Sequence, residues 1–385
     1  MPIAFIDLQA QRRRIADKID AAVLKVIASG AYIFGPEVRE FEAKLAAFGQ
    51  AQHCLANANG TDALALPLMA WNVGAGDAVF CPSFTFAATA EVVPWFNATP
   101  VFVDVDRVTY NMDPASLEAA IEGVKREGKL EPKAIIAVDL FGAPAEYPAL
   151  SAIAKKHGLK LISDSAQGFG CTLQGKHPLH WADVTTTSFF PAKPLGCYGD
   201  GGATLSNDGA DIALMRSLAF HGAGADKYDN IHIGMNSRLD TIQAAILIEK
   251  LAIFADEIVA RNKIADRYAE RLQGLVTTPR VIAGGVSTWA QYTIESDARD
   301  ALAAFLKDRG VPTAMYYPKP LHQQTAYRAF PVGAGGLANS EAAAARVLAL
   351  PMHAYLDEAT QDEIVAAIRA FASAGGAHAP RAATA

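Results

Sequence analysis

Between about residues 52 and 206, short apolar runs alternate with longer segments whose apolar residues recur at helical spacing. In chain order, the runs are HCLAN, DAVFC, PVFVDV, KAIIAVDL, KLISD, VTTTSF and GATLS. Nearly continuous apolar runs are typical of strands buried on both faces, and intervening helices are typical of crossovers in a parallel sheet. The pattern predicts an α/β fold with three layers, in which helices cover both faces of a mostly parallel sheet.

A different pattern follows this region. Asp240–Leu272 is rich in Ala, Ile, Leu and Glu and contains neither Gly nor Pro, which predicts one long helix or two joined helices. Beyond it, TWAQYTI predicts a strand and RDALAAFLKDRG predicts a helix. We therefore expect a large domain at residues 1–250 with an N-terminal helical arm, a small α+β domain at residues 251–374, and a disordered tail at residues 375–385.

Length, charge and hydropathy narrow the class of protein. A chain of 385 residues with 51% hydrophobic residues is long enough for two buried cores. The net charge of −6 comes with no basic stripe, so nucleic acid is not an expected partner. The sequence has no apolar run of 18 residues, and its start, MPIAFIDLQAQRRR, lacks the order of a signal peptide. We expect a cytoplasmic protein with no membrane partner.

Cysteine and histidine usage gives no sign of a metal site. The four cysteines are Cys54, Cys81, Cys171 and Cys197. They lie far apart and form no C-x-x-C pair, so we expect reduced and mostly buried thiols. His177 and His180 lie in the run HPLH, where no Cys or acid at ligand spacing joins them, and a loop is the favoured interpretation.

The candidate for covalent chemistry is Lys193, in the segment Ser188–Gly202, SFFPAKPLGCYGDGG. Its immediate neighbours are apolar, and burial favours the neutral amine, which is the nucleophilic form. The alternative is a solvated lysine in an ordinary salt bridge. A glycine-rich turn on one side and a hydroxyl at the start of the segment favour the first interpretation.

An acid precedes this lysine by 29 residues. The strand-like run KLISD ends at Asp164, and groups at the carboxyl ends of parallel strands line the ligand crevice. A carboxylate there suits the pyridinium nitrogen of pyridoxal phosphate, which such enzymes pair with a lysine. The alternative is that Asp164 caps a helix, because Asp is a favoured N-cap residue.

Two further segments supply an anion site and an aromatic wall. In ANGTDAL, Gly60 and Thr61 open an apolar helix, whose first amides favour a phosphate, although a plain Asn-Gly turn is the alternative. In CPSFTFAAT, Phe84 or Phe86 comes at the end of a strand. An aromatic residue there belongs either to the core or to a surface that stacks on a flat ring.

In the order phosphate turn, aromatic, acid and lysine, these segments resemble one family. The motifs are NGTDAL, PSFTFAATA, DSAQ, SFFPAKPLG, GDGG and NSRLDTIQAA, joined by YYPKPLH and LPMHAYL. From about Ile3 to Phe371 the chain resembles the DegT/DnrJ/EryC1/StrS sugar-nucleotide aminotransferases, which are fold type I pyridoxal phosphate enzymes. Ala192 departs from the serine that often precedes the lysine, whereas a branch that replaces the lysine by histidine performs dehydration. The presence of Lys193 implies transamination.

The resemblance implies a role for each matching residue. Lys193 would attach pyridoxal 5'-phosphate and then move the proton, while Asp164 would keep the pyridine nitrogen protonated. The other implied cofactor-binding residues are Gly60, Thr61, Phe86, Gln167, Ser188 and Asn236. Asn236 matches a residue that reaches the phosphate of the neighbouring subunit, which implies a homodimer with shared sites. Arg238, Tyr317 and His322 are implied substrate contacts, and no metal is implied.

The resemblance also implies a substrate. SFFPxKPLGCYGDGG, NSRLDTIQAA and AQYTI are most similar to the branch that acts on UDP-linked 3-keto-N-acetylglucosaminuronic acid, with glutamate as amino donor. Arg238 suits such a substrate, because a guanidinium binds a carboxylate in a bidentate manner. Arg238 as a helix cap or dimer contact is the structural alternative. The functional alternatives are a 4-keto-6-deoxyhexose aminotransferase and a non-catalytic regulator with the same fold.

Overall fold

The computed structural model describes residues 3–226 and 228–375. Over these residues the helices are α1 (Leu8–Arg14), α2 (Ala16–Ser29), α3 (Pro36–Phe48), α4 (Gly60–Ala70), α5 (Ala88–Glu91), α6 (Pro114–Glu127), α7 (Tyr147–His157), α8 (Gly209–Ala219), α9 (Thr241–Leu272), α10 (Arg299–Lys307), α11 (Ala338–Arg346) and α12 (Glu358–Ser373). The strands are β1 (His53–Asn57), β2 (Asp77–Pro82), β3 (Thr99–Val103), β4 (Glu131–Val138), β5 (Lys160–Asp164), β6 (Thr172–Leu173), β7 (Val184–Ser188), β8 (Gly202–Ser206), β9 (Gly285–Val286), β10 (Tyr292–Glu295) and β11 (Val347–Leu350).

The seven predicted apolar runs form one sheet with the strand order β1-β8-β7-β5-β4-β2-β3. Five of its strands run parallel to a neighbour, and β8 pairs antiparallel with both β1 and β7. In register, Val138 lies beside Asp164, and Asp164 lies beside Thr186. The carboxyl ends of β4, β5 and β7 therefore meet at one edge of the sheet, as predicted.

Helices cover both faces of this sheet, because alternate strand residues point in opposite directions. Phe80 and Ile135 pack against α6 and α7, whereas their neighbours Val79 and Ile136 pack against α4 and α5. At the other end of the sheet, α3 and α9 cover one face of β1 and β8, and α8 lies on the opposite face. The predicted three-layer α/β fold is confirmed.

The long helix α9 takes part in two hydrophobic cores. Its first half, including Leu247 and Phe254, packs against the sheet layer. Its second half, including Ile264 and Tyr268, forms another core with α10, α12 and the antiparallel pair β10–β11. The predicted boundary at residue 250 lies inside this helix. Apart from Gly375, the tail predicted at residues 375–385 lies outside the described residues.

The remaining composition-based predictions concern thiols and histidines. All four cysteines are free and buried, as predicted. His177 packs against Phe48 and Phe169, and burial lowers the pKa of its imidazole to about 4. His180 is exposed, so the two histidines of HPLH lie in different environments. No helix within the described ranges is long and apolar enough to cross a membrane.

Candidate active site

A cleft of about 730 Å³ opens at the edge where the parallel strands end. Its wall includes the last residues of β5 and β7, which are Asp164 and Ser188, and the first residue of α4, which is Gly60. The cleft brings together most of the predicted site residues: Gly60, Thr61, Phe86, Asp164, Gln167, Ser188, Lys193 and Tyr317. Most of these residues are distant in sequence and meet here because they follow or end strands of the same sheet, whereas Tyr317 comes from the segment between α10 and α11.

Lys193 is half-buried in a turn that follows β7. The turn is closed by a hydrogen bond from the Lys193 amide to the Phe190 carbonyl oxygen (2.8 Å). Burial lowers the pKa of the Lys193 amine, and the negative charge of Asp164 opposes that shift. Desolvation therefore makes the neutral, nucleophilic amine more accessible than it is at an ordinary surface lysine.

Asp164 is a buried carboxylate that is only 4% exposed. The Thr89 hydroxyl donates to one of its oxygens (2.9 Å), and the Ala166 amide donates to the other (3.1 Å). Burial raises the pKa of Asp164, while the hydrogen bond from Thr89 and the charge of Lys193 oppose the shift. No helix begins at Asp164, so the N-cap alternative is excluded and the acid faces the cleft.

The start of α4 forms a pocket for an anion. Asn59 caps this helix by accepting from the Asp62 amide (2.8 Å), which holds the first turn in place. A Cβ on Gly60 would lie 2.6 Å from the Ser188 Cβ, so only glycine allows the helix to approach β7 this closely. The helix amides and the Ser188 hydroxyl thus line one corner of the cleft, and that corner suits a phosphate.

The structure separates the two aromatic candidates. Phe84 is fully buried among Tyr110, Phe141 and Tyr317, whereas Phe86 is 54% exposed and lines the cleft. The core interpretation therefore holds for Phe84. Of these two phenylalanines, only Phe86 has a ring that can stack on a flat ligand in the cleft.

Gln167 is fixed between two walls of the cleft. Its side-chain oxygen accepts from the Phe141 amide (2.8 Å), and its amide nitrogen donates to the Tyr317 hydroxyl (3.0 Å). Burial raises the pKa of Tyr317 well above its usual value, so this hydroxyl stays protonated. Its proton is available for a further hydrogen bond.

Three predicted site residues lie outside this cleft. Asn236 and Arg238 line a neighbouring depression of about 420 Å³, which shares Asp200 with the cleft. His322 lies close to Ser83 (Nδ1 to Oγ, 2.7 Å) and Glu341 (Nε2 to Oε1, 3.1 Å). None of the three lines the cleft of its own chain.

Other cleft residues escaped the sequence analysis. Thr89, Tyr316 and Gln291 all line the cleft or hold its acid. Thr89 belongs to the quoted motif PSFTFAATA, and Gln291 to AQYTI, but nothing in a linear pattern indicates that their side chains face Asp164 or the cleft. The contact of Thr89 with Asp164 joins residues 75 positions apart.

A desolvated lysine beside a buried acid, at the edge of this kind of sheet, defines a class: fold type I enzymes that use pyridoxal phosphate for amine chemistry. A family model described as the DegT/DnrJ/EryC1/StrS aminotransferase family matches residues 13–369. The chain belongs to this family and is a sugar-nucleotide aminotransferase that depends on pyridoxal 5'-phosphate.

Similar proteins agree with this assignment over nearly the whole chain. The chain is 47% identical to the UDP-2-acetamido-2-deoxy-3-oxo-D-glucuronate aminotransferase of Pseudomonas aeruginosa, over 95% of this chain and 99% of that protein. A DegT DnrJ EryC1 StrS aminotransferase from Brucella abortus has a crystal structure with 55% identity and a TM-score of 0.95, and the match covers 96% of this chain and 99% of the other. The S. venezuelae DesV structure in complex with a ketimine intermediate has 34% identity and a TM-score of 0.91, with 96% and 98% covered.

The cleft fits the cofactor at both of its ends. The Gly60–Ser188 corner offers amides and a hydroxyl for the phosphate, and the buried Asp164 carboxylate matches a protonated ring nitrogen. When bound, pyridoxal 5'-phosphate supplies an electron sink for the carbon that loses its proton. Lys193 would provide the amine for attachment and carry the proton, Asp164 would keep the ring nitrogen charged, and Phe86 would cover one face of the ring.

Proposed function

We propose that this aminotransferase moves an amino group from glutamate to UDP-2-acetamido-2-deoxy-3-keto-glucuronic acid, in the cytoplasm, during biosynthesis of a surface polysaccharide such as lipopolysaccharide. The similarity to the Pseudomonas enzyme supports this substrate, because it extends over 95% of the chain. We further propose that the cofactor is held by Gly60, Thr61, Phe86, Asp164, Gln167, Ser188, Lys193 and Asn236, with Lys193 and Asp164 as the catalytic residues.

The structural observation that supports a carboxylate-bearing substrate is the environment of Arg238. Its guanidinium lies over the rings of Phe34 (5.9 Å) and Phe220 (5.6 Å), which hold it in place. Among the described residues, no carboxylate lies within ion-pair distance of it. An oriented guanidinium without an acid partner suits a carboxylate-bearing substrate, and both glutamate and a uronic acid qualify.

We propose that the site is completed in a homodimer. Asn236 is exposed and lies with Arg238 beside the cleft rather than in it, as expected of residues that act on a partner's cleft. Apolar residues near this depression are also exposed: Tyr32 (48%), Ile33 (43%), Phe34 (49%) and Phe220 (38%). Clustered exposed aromatic residues are typical of interaction surfaces. Two-fold pairing would bring Asn236 and Arg238 to the neighbouring subunit's site.

Two finer proposals remain from the sequence. Tyr317 and His322 would contact the substrate, Tyr317 through the hydroxyl that accepts from Gln167. The chain would divide into a large domain at residues 1–250 and a small domain at residues 251–374, with α9 connecting their cores.

The proposed substrate is tested by measuring the two half-reactions of Arg238 variants separately. Arg238→Lys keeps the charge but loses the planar fork, and Arg238→Ala loses both. Loss of a charged hydrogen bond costs about 1.5–3 kcal/mol, which is roughly a ten- to hundredfold drop in kcat/KM. We expect that drop in the keto-sugar half-reaction and little change in the glutamate half-reaction, read from the cofactor absorbance.

Arg39→Ala is the matched control, because Arg39 is an exposed arginine that lines the adjacent surface groove. A loss of rate in the glutamate half-reaction alone would show that Arg238 binds the carboxylate of the amino donor. Arg238 would then no longer support a uronic acid substrate. Turnover of a 4-keto-6-deoxyhexose nucleotide in preference to the 3-keto uronate would favour the alternative aminotransferase. A bound cofactor that glutamate does not bleach would favour a non-catalytic regulator.

A further inference from the structure

Gln291 holds a fixed position in the wall of the cleft. It directly precedes β10, and its backbone amide donates to the Phe141 carbonyl oxygen (3.3 Å). The Phe141 amide in turn donates to Gln167, and Thr288 donates from its hydroxyl to the Gln167 carbonyl oxygen (3.0 Å). The backbone of Gln291 is thus tied to the segment that carries Gln167, and its side chain reaches the cleft that holds Lys193.

The side-chain oxygen of Gln291 is covered from solvent and has no hydrogen-bond partner. Six other covered side-chain atoms in the described ranges share that condition, and they belong to Asn57, Thr185, Arg261, Tyr292, Thr293 and His353. Of the seven residues, Gln291 alone lines the cleft. A covered oxygen without a partner destabilises the free enzyme, because burial removes its bonds to water.

Because the oxygen is covered, an arriving ligand can reach this terminal amide only at the end that opens onto the cleft. The cofactor's ring nitrogen and phosphate already have matching residues in Asp164, Gly60 and Ser188. The carboxylates of glutamate call for cationic groups, whereas an amide suits neutral groups that both donate and accept. The hydroxyl and acetamido groups of a nucleotide-linked amino sugar are of that kind.

We propose that the side-chain amide of Gln291 hydrogen-bonds the sugar ring of the nucleotide keto-sugar and helps to select it. This inference rests on the proposed function. A half-turn of the terminal amide exchanges its oxygen and nitrogen at nearly constant shape, so either end can face the sugar. The bond forms in the second half-reaction only, because glutamate lacks the sugar's hydroxyl and acetamido groups.

The experiment compares holoenzymes that carry Gln291→Leu or Gln291→Met, which remove the amide at similar size. We expect the keto-sugar half-reaction to lose about three- to tenfold in kcat/KM, as for one neutral hydrogen bond. The glutamate half-reaction should stay within about twofold of the parent enzyme. Inhibition by UDP alone, which lacks the sugar, should not change.

Thr293→Val is the matched control. Thr293 is fully buried two residues further along, its hydroxyl is also unpartnered, and it does not line the cleft. The change should leave both half-reactions intact. The thermal midpoints of this variant and of both Gln291 variants should equal or exceed that of the parent by about 1–3 °C, because each removes a covered polar atom without a partner.

Equal losses of kcat/KM in both half-reactions, or no loss in either, would overturn the inference. A clear fall in the thermal midpoint of the Gln291 variants would also overturn it, because the amide would then have a structural role. If the parent enzyme converts a different nucleotide keto-sugar, the proposed substrate is wrong. The Gln291 comparison is then made on that sugar, with its free nucleotide as inhibitor.

Discussion

At the scale of single residues, burial and charge act in opposite directions on the two central groups. Burial lowers the pKa of Lys193 and raises the pKa of Asp164, so it favours the neutral form of each. Their mutual attraction, together with the Thr89 hydrogen bond, favours the charged forms. Lys193 therefore loses its proton more easily than a solvated lysine does, while the Thr89 hydrogen bond and the charge of Lys193 stabilise the Asp164 anion.

Removal of the Asp164 charge should therefore affect catalysis more than folding. We expect Asp164→Asn to lower turnover by about 10²- to 10³-fold, as for loss of one preorganised electrostatic partner. Steady-state kinetics with glutamate, together with circular dichroism to check the fold, measure this effect. Near-parental turnover in a folded variant would show that Asp164 is the wrong acid.

Thr89→Val should change the pH dependence of turnover. The pKa of Asp164 is already raised by burial, and loss of the Thr89 hydrogen bond should raise it further. The ionised carboxylate is lost as the pH falls through that value, so the acid limb of the kcat profile should move to higher pH. Thr293→Val serves as the control, and an unmoved acid limb in Thr89→Val would contradict the role given to Thr89.

The residues that the sequence predicted are those with local signals. Lys193 follows the strand β7, Asp164 ends the strand β5, and Gly60 opens a helix with an Asn cap. Thr89 and Gln291 carry no such signal, because each acts through a contact made by the folded chain. The same limit applies to Phe84 and Phe86, which only the fold separates into core and cleft.

At the scale of elements, helix α9 supports the turn that carries Lys193. Lys250 on this helix is only 1% exposed, and its amine donates to the carbonyl oxygen of Gly196, three residues beyond Lys193. The amine also lies 4.7 Å from the centre of the Tyr198 ring. Burial lowers the pKa of Lys250 to about 8. Besides the half-buried Lys193, the chain thus contains a buried lysine with a structural role.

This lysine gives stability a definite dependence on pH. The unfolded chain keeps Lys250 protonated up to about pH 10.5, whereas the folded chain releases the proton from about pH 8, so stability rises between these values. Relative to Lys250→Met, the parent should gain about 3 kcal/mol in free energy of unfolding across this window. Denaturant unfolding of both holoenzymes measures the difference. The exposed Lys263→Met on the same helix is the control, and parallel curves for parent and Lys250→Met would refute the effect.

The positions of strands could be predicted from the sequence where burial on both faces of the sheet determines which residues the strand contains. All seven sheet strands occur where the apolar runs predicted them, because strands covered on both faces must be apolar along their length. The predicted strand TWAQYTI is shorter in the structure, where β10 contains Tyr292–Glu295. Thr288 and Trp289 instead hydrogen-bond to the loop around Gly142 and to Asn262, which an apolar pattern does not reveal.

At the scale of the whole molecule, we propose that one complete site needs two chains. The cleft contains the lysine, the acid and the aromatic wall, while Asn236 and Arg238 lie outside it in the same chain. The exposed aromatic residues around that depression are consistent with a covering subunit. The sequence could imply this arrangement only by resemblance, because neither Asn236 nor Arg238 lies in a local pattern that specifies a contact between two chains.

Subunit mixing tests the shared site. Each heterodimer of Lys193→Ala and Asn236→Ala chains should contain one site with both residues intact and one site with neither. Equal mixing should restore roughly a quarter of parental activity, since half of the dimers are mixed and half of their sites are intact. Lack of recovery, despite subunit exchange proven by mass spectrometry, would contradict a shared site.

One measurement tests directly whether Lys193 holds the cofactor. Borohydride reduction of the holoenzyme fixes the cofactor to the lysine that binds it, and peptide mapping then identifies that residue. We predict the label on Lys193, with no label and no turnover in Lys193→Ala. A label on Lys250, the buried lysine whose amine contacts the same turn, or on any other lysine of the parent enzyme, would contradict this assignment.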